Sequence, residues 1–337
     1  MKTALIFLLF TTICFSQSEV NDLIQQGIEY HDAGQYDSAI ATYKKALEIE
    51  PQSTMIYYEL AFSYFKKGDY DKAIEHSDFV IDKNASHLLE AYLTKGSALD
   101  MKGKTKESIK LFEKALKKMG DDYLIYYNLA LNHYKLQDLD EAEKNVIKAI
   151  EHNPDHTSSH LMLAHIHNFR GNTVQTLMAA YYFLFLEPNS SRSQEAYAML
   201  QKKLGGNVSK DKNKPNAINI TLAANNDTDF GAAEMMVALL EASKSLEENV
   251  NKTEDEMFVE NTDSFFTMLG ELNEKKKKNK DIWWNFYTPF FYNIAQTDHI
   301  ETYCKLISQS SNGNSVQWLD ANETRVADFE QWLENNL

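Results

Sequence analysis

Cysteine is nearly absent from this sequence. Only Cys14 and Cys304 occur in 337 residues, and the first lies in a segment that we expect to be cleaved. A single remaining thiol cannot form an intrachain disulfide, so the class of small domains stabilised by disulfides is excluded. We expect Cys304 to be a small buried side chain, with a reactive thiol as the alternative.

An excess of basic charge is also missing. The chain has 34 Lys and Arg residues against 49 Asp and Glu residues, which gives a net charge of -15. Binding to phosphates requires Lys and Arg clustered on one face, so this balance argues against a nucleic-acid partner. We interpret the one lysine run, Lys275 to Lys278 with Lys280, as the solvated end of a helix. An anionic membrane surface is the alternative partner for this run.

Spacings that carry catalysis are absent as well. The sequence contains no Gly-x-Ser-x-Gly, His-Glu-x-x-His or Cys-x-x-Cys motif and no phosphate-binding glycine loop. We therefore expect no catalytic residue, no cofactor and no enzymatic activity. Five histidines lie close together: His152, His156, His160, His165 and His167. Two of them have the i, i+4 spacing of metal ligands on a helix, but packing or solvent exposure is the favoured interpretation and metal ligation the alternative.

Only one long apolar run occurs, from Ala4 to Phe15 after Met1-Lys2. It is shorter than the roughly 18 residues that a membrane helix needs. Its position and the small residues around Ser16 are typical of a cleaved signal peptide spanning residues 1–16. Lipid attachment at Cys14 is the alternative, and Ile13 disfavours it. We expect an exported chain, periplasmic or secreted, with no transmembrane segment.

A pattern that returns every 34 or 35 residues fills the stretch from Val20 to Asn189. Its first copy contains Gly27, Tyr30, Gly34, Tyr36, Ala39, Tyr43, Ala46 and Pro51. The five copies span residues 20–53, 54–87, 89–122, 123–156 and 157–190. In each copy, two helical periodicities flank a short break, and Gly34 supplies the first turn. One such hairpin cannot bury its apolar face alone, so the copies are expected to stack.

This order of a small residue, an aromatic, a glycine, two alanines and a proline resembles the tetratricopeptide repeat. The resemblance covers about half of the chain. It implies an all-α solenoid of helical hairpins that binds proteins or peptides, without naming the partner. It also implies that the first helix of each hairpin lines a concave groove. The groove residues implied in this sequence are Ile24, Ile28, Tyr58, Phe62, Phe65, Leu93, Tyr127, Leu131, Tyr134, His165 and Asn168.

The implied groove is apolar and aromatic. Family members that bind a terminal carboxylate hold it with Lys, Asn and Arg, whereas this chain has Ile24, Ile28, Tyr58 and Phe62 at the comparable places. Chaperone C-termini are therefore not expected as ligands. Burying one such apolar side chain contributes about 1.5 to 3 kcal/mol, so we expect this surface to be covered. Either a partner's segment or the protein's own C-terminal region would cover it, and both remain open.

Beyond the repeats, we predict a capping helix at residues 190–205, a linker at 206–217 and an all-helical C-terminal domain at 218–337. The first helix of that domain is predicted to begin at Asp229 and the second at a capping box of Thr253 and Glu256. A third is predicted to begin at Thr288, before Pro289. Buried residues are expected to be Phe230, Met235, Met236, Leu239 and Leu240 in the first helix, and Val316, Leu319, Val326, Phe329 and Trp332 in a last helix from Ser315 to Leu333.

Seven aromatic residues fall between Trp283 and Tyr292. Packing in the core of the C-terminal domain is the favoured interpretation, and a partner surface or a plug in the repeat groove is the alternative. Taken together, these patterns predict an exported, non-catalytic scaffold of the cell envelope that binds a protein or peptide in its groove. The alternative is an enzyme or ligand-binding C-terminal domain that uses the repeats as a docking arm.

Overall fold

The computed structural model describes residues 18–84, 86–205, 208–210, 218–220, 230–244, 249, 251–275 and 281–336. The predicted signal peptide with Cys14, the predicted cap Asp229 and most of the lysine run lie outside the described residues. The prediction of an all-α fold is confirmed. The chain divides into two compact units, Met1–His152 and Asn153–Leu337, which we call the N-terminal and the C-terminal unit.

The described residues of the N-terminal unit form four helical hairpins. Its helices are α1 (18–32), α2 (Tyr36–Ile49), α3 (Thr54–Lys67), α4 (Tyr70–Lys83), α5 (Leu88–Met101), α6 (Thr105–Met119), α7 (Tyr123–Lys135) and α8 (Leu139–His152). Gly34, Gly68 and Gly103 join the two helices of the first three hairpins with φ angles of 73°, 88° and 75°. In the fourth hairpin Gln137 takes this left-handed position, at a φ of 61°. The turns therefore lie where the glycine pattern predicted them.

The small residue in the first helix of a hairpin permits contact with an aromatic ring of the second helix. At Gly96 in α5, an added Cβ would lie 2.1 Å from Cζ of Phe112 in α6. The carbonyl of Gly96 also accepts a hydrogen bond from Ser108 Oγ at 2.8 Å, and Ser108 Oγ accepts one from Asn132 Nδ2 of α7 at 2.8 Å. This buried chain of hydrogen bonds ties three consecutive helices together.

Gly96→Ala is expected to destabilise the N-terminal unit, although alanine is the better helix former. The propensity gain is about 1 kcal/mol. Displacing the buried Phe112 ring is expected to cost about 1–3 kcal/mol, so the net change should be a loss. Chemical denaturation followed by circular dichroism measures it. A double-mutant cycle with Phe112→Leu supplies the control, since a smaller partner should make Gly96→Ala less costly. Additive effects would contradict the assigned contact.

The C-terminal unit contains the fifth hairpin together with the residues that follow it. Its helices are α9 (Thr157–Arg170), α10 (Thr173–Leu186), α11 (Ser191–Gly205), α12 (Gly231–Ser243), α13 (Glu254–Lys275), α14 (Thr288–Ala295), α15 (Ile300–Ser308), α16 (Gly313–Ala321) and α17 (Glu323–Asn336). Strands β1 (Val208–Lys210) and β2 (Ile218–Ile220) pair antiparallel, so a short ribbon lies where a linker and an all-helical domain were predicted.

Helix α10 is the interior helix of this unit, with every residue from Thr173 to Leu184 buried. The Tyr181 ring lies 5.1 to 6.4 Å from five other rings, measured between centroids. These rings belong to Phe258, Phe265, Phe266, Phe291 and Tyr303 of α13, α14 and α15. The second helix of the fifth hairpin therefore shares one core with the C-terminal residues.

Helix α14 begins at Thr288 with Pro289 in its first turn, as predicted, but Thr288 is not its N-cap. Thr288 is buried, and its N–H donates to the carbonyl of Trp283 in a π-helical turn, Trp283–Tyr287, that continues directly into α14. Pro289 has no N–H to donate, which leaves the carbonyl of Trp284 without its π-helical partner. The side-chain amide of Asn273 donates to that carbonyl at 2.9 Å instead. The turn thus accommodates the proline without a helix break.

Two other helices of this unit differ from expectation. The predicted final helix divides at Asn322 into α16 and α17, and Val316 is 40% exposed while Phe329 is buried. In α12 the buried residues are Ala233, Val237 and Ala238, whereas the predicted core residues Met235 and Leu239 are 40% and 48% exposed. Met235 and Leu239 therefore lie on the outer side of α12. The capping box of Thr253 and Glu256 forms as predicted, with reciprocal backbone hydrogen bonds of 2.8 and 3.2 Å.

Candidate protein-binding surface

Four partly exposed rings form a continuous row across the first helices of the N-terminal unit. His31 of α1 stacks on Phe62 of α3, with ring centroids 4.7 Å apart and planes 19° apart. Phe62 is followed by Tyr58 at 6.2 Å and 13°, and Tyr58 by His87 at 5.1 Å and 4°. We call His31, Phe62, Tyr58 and His87 the aromatic row. The ring planes are nearly parallel, and each of the four rings remains partly exposed.

The two histidines at the ends of the row are positioned differently, His31 by a hydroxyl group and His87 by its backbone conformation. His31 Nδ1 lies 2.8 Å from Ser63 Oγ, and burial lowers the pKa of His31 below its ordinary value. His87 is the N-cap of α5 and has a left-handed backbone, with a φ of 66°. A non-glycine residue in this conformation costs about 1–2 kcal/mol. In this backbone conformation the ring of His87 lies over the ring of Tyr58.

One flank of the aromatic row is acidic. Burial raises the pKa of the Tyr58 hydroxyl, and the charges of Glu59 and Glu90 raise it further. Burial also raises the pKa of Glu59, whose Oε2 accepts a hydrogen bond from the Tyr43 hydroxyl at 3.3 Å. The Tyr58 hydroxyl therefore stays protonated and can donate a hydrogen bond.

The predicted groove residues differ widely in exposure. Ile24 is only 8% exposed and belongs to the core, so its side chain is not available to a partner. Partly buried are Ile28, Tyr58, Phe62, Phe65, Leu93, Tyr127 and Tyr134. Leu131 is 40% exposed, and His165 and Asn168 are exposed on α9 of the C-terminal unit. Of the predicted residues, ring stacking joins Tyr58 and Phe62 to each other.

Sequence reasoning missed both histidines of the row and two exposed methionines, Met55 and Met101, which are 37% and 57% exposed. His31 could have been found, since it lies one repeat before the predicted groove residue Phe65. His87 gives no periodic signal because it precedes α5 and depends on its left-handed backbone.

The aromatic segment Trp283 to Tyr292 packs against the fifth hairpin through the buried histidines of α9. The Tyr287 hydroxyl lies 2.7 Å from His160 Nδ1, and Trp283 meets His167 edge to face at 4.9 Å. His165 and Asn168, the predicted groove residues of α9, remain exposed. Core packing is therefore the role that the segment has within this unit.

His160 cannot offer a free nitrogen to a metal. Its Nε2 lies 2.8 Å from the carbonyl of Pro154, so Nε2 carries the proton and Nδ1 accepts from the Tyr287 hydroxyl. Within the described ranges, no three His, Cys, Asp or Glu residues are grouped as metal ligands. Cys304 is buried as predicted, and burial raises the pKa of its thiol to about 12.

None of the described helices is both long and apolar enough to span a membrane.

Comparison with known proteins bears on the repeats. Family models described as "TPR repeat" and "Tetratricopeptide repeat" match residues 27–68 and 101–166. A TPR repeat-containing protein of Methanocaldococcus jannaschii is 23% identical over 256 residues, which cover 73% of this chain and 44% of the relative. The chain thus spans less than half the length of that curated relative.

Solved structures are also similar to this chain. A thermophilic TPR protein of Thermus thermophilus is 18% identical with a TM-score of 0.46, and the match covers 55% of this chain and 98% of that one. PilF of Pseudomonas aeruginosa is 18% identical with a TM-score of 0.46, covering 56% and 90%. The family models, the repeat period and the glycine turns agree that this chain contains tetratricopeptide repeats.

Proposed function

We propose that this chain is a non-catalytic scaffold of the cell envelope that holds a segment of a partner protein against the aromatic row. The observation that carries the proposal is the row itself, four stacked rings that remain partly exposed on the first helices of the repeats. The pattern of residues 1–16, typical of a signal peptide, supports export.

Stacked rings are well suited to recognition of a peptide segment. Aromatic side chains present large, rigid contact areas, and few rotamers are lost when they are covered. The side chains of Met55, Met101 and Leu131 are also exposed, on the first helices of the second, third and fourth hairpins. A partner segment with apolar or aromatic anchors would remove these side chains from water, which is the main source of affinity at such sites.

The acidic flank of the aromatic row favours partner segments without negative charge. Glu59 and Glu90 lie close enough to Tyr58 to raise the pKa of its hydroxyl. A partner that placed a carboxylate there would meet two like charges, which disfavours binding. The partner segment is therefore expected to be neutral or basic where it crosses Tyr58.

Replacing Tyr58 and Phe62 together with alanine is expected to weaken partner binding about thirtyfold or more, since the loss of a single aromatic anchor costs about 2 kcal/mol and the two losses need not add. Affinity capture from the native envelope, with the chain from Gln17 as bait, identifies the partner, and titration then measures its affinity. A matched control replaces Met119 and Leu136, two exposed apolar residues outside the row, and should retain affinity. If the Tyr58 and Phe62 variant binds the partner as tightly as the control variant and the unchanged chain do, the proposal is overturned.

A pocket of about 650 Å³ in the C-terminal unit bears on the alternative of a ligand-binding domain. Its lining includes Asp255 and Lys244. Asp255 is paired with Lys305 at 2.9 Å and bound by Asn312 at 2.7 Å, and Lys244 is paired with Glu241 at 2.7 Å. These groups are already neutralised by the protein, so the pocket gives less support to a function than the aromatic row does.

A further inference from the structure

Helix α6 differs in charge from the acidic chain around it. Between Thr105 and Met119 it has five lysines and two glutamates, in a protein with a net charge of -15. Four of the lysines, Lys106, Lys110, Lys114 and Lys118, recur at every fourth residue and are exposed. Residues at this spacing lie on one face of a helix, one above the next. We call these four residues the lysine row.

The lysine row is unfavourable to an isolated helix. It contains three like-charge pairs at i, i+4 spacing, each of which costs about 0.2–0.5 kcal/mol. Within the part of the chain that the structure describes, none of the four ammonium groups forms an ion pair. Glu107 of the same helix is instead engaged by Lys104 Nζ at 3.4 Å. An anionic ligand would remove this repulsion.

Two members of the row, Lys110 and Lys114, also line a groove of about 530 Å³ between α4, α5 and α6. Its apolar lining consists of Ile74, Leu99 and Leu111. The other lysines of the groove are Lys95, Lys102 and Lys104, paired with Asp78, Asp71 and Glu107. One side of the groove is therefore neutralised, while the α6 side keeps its positive charge.

We propose that the lysine row and this groove bind an acidic segment of a partner protein, in which carboxylates flank an apolar side chain. The carboxylates would pair with Lys110 and Lys114, and the apolar side chain would cover Ile74 and Leu111, which are partly exposed. Charge complementarity and the apolar lining together favour a peptide segment, since a bilayer surface offers phosphates but no side chain that would cover the apolar lining. This surface is distinct from the aromatic row, whose flank is acidic.

Fluorescence anisotropy with labelled synthetic peptides tests the proposal on the full chain. One peptide alternates paired glutamates with leucine, and the second replaces each leucine with serine. The leucine peptide is expected to bind more tightly, with an affinity that falls as salt is added. Lys110→Glu with Lys114→Glu should weaken its binding tenfold or more. The matched control, Lys44→Glu with Lys45→Glu on the exposed side of α2, should bind as the unchanged chain does.

Three outcomes would overturn the proposal. Equal affinity for the two peptides would show that the apolar lining plays no part. Unchanged affinity of the Lys110 and Lys114 variant for the leucine peptide would show that the peptide does not bind at these lysines. Tighter binding to phosphatidylglycerol vesicles than to the leucine peptide would indicate that the lysine row binds a membrane surface instead. If the glutamate variant does not fold by circular dichroism, Lys110→Gln with Lys114→Gln replaces it, with an expected weakening of threefold or more.

Discussion

Replacing Tyr181 with alanine is expected to lower the free energy of unfolding of the C-terminal unit by about 3–5 kcal/mol, the usual cost of deleting a large buried aromatic. Tyr181 is fully buried on α10, surrounded by rings of α13, α14 and α15. Its removal leaves a cavity that bulky, mutually packed rings cannot fill. A loss of this size is a large part of the stability of an ordinary domain.

Tryptophan fluorescence measures the loss of stability of the C-terminal unit specifically. All four tryptophans of the chain, Trp283, Trp284, Trp318 and Trp332, belong to the C-terminal unit, so their emission during chemical denaturation reports on that unit. Tyr181→Phe is the control. It keeps the ring and removes only the hydroxyl, which lies 3.0 Å from Thr262 Oγ1, so the expected loss is about 1 kcal/mol. Equal losses for the two variants would contradict the role assigned to the ring.

The same packing has a consequence for shortened chains. A chain that ended at Leu204 would keep α10 but lose α13, α14 and α15, whose side chains cover Tyr181. A chain of residues 218–337 would keep α13, α14 and α15 but lose α10, and with it the ring of Tyr181 that they surround. Tests of partner and peptide binding therefore require the chain with all of its helices.

The sequence was sufficient to predict the repeats because their signals are local. A glycine at each turn, a small residue opposite an aromatic and a fixed period all act within one hairpin, and the structure places Gly34, Gly68 and Gly103 at such turns. The burial of α10 also had a local signal. Its last residues, Tyr181 to Leu186, are apolar on every side, which is typical of a helix with no exposed face.

Contacts between distant residues could not be predicted in this way. The hydrogen bond between His160 and Tyr287 joins residues 127 positions apart, and neither position has a periodic signal for the other. The aromatic row was found only in part for a similar reason. Tyr58 and Phe62 lie one helical turn apart on α3, whereas the contact of Tyr58 with His87 depends on a backbone conformation that the residue type does not predict.

Acid is expected to destabilise the C-terminal unit through His160. Burial, with a smaller contribution from the charge of His156, lowers the pKa of His160 from 6.5 in the unfolded chain to about 4, although the hydrogen bond to the carbonyl of Pro154 raises it. Below pH 6.5 the unfolded chain binds a proton that the folded unit excludes, so stability falls as the pH falls toward 4. Between pH 7 and pH 5 the expected loss from this group is about 2 kcal/mol.

The geometry explains why the imidazole stays neutral in the folded unit. Its Nδ1 accepts from the Tyr287 hydroxyl, and a second proton would place a charge on a fully buried ring and leave the hydroxyl hydrogen of Tyr287 without this acceptor. His160→Gln can still donate to the carbonyl of Pro154 and does not titrate, so it should be less stable at pH 7 but lose less on acidification. His165→Gln, an exposed change on the same helix, should retain most of the acid sensitivity. Tryptophan fluorescence during denaturation at the two pH values gives the comparison. If His160→Gln loses as much stability as the unchanged chain between them, His160 is not the group that makes the unit sensitive to acid.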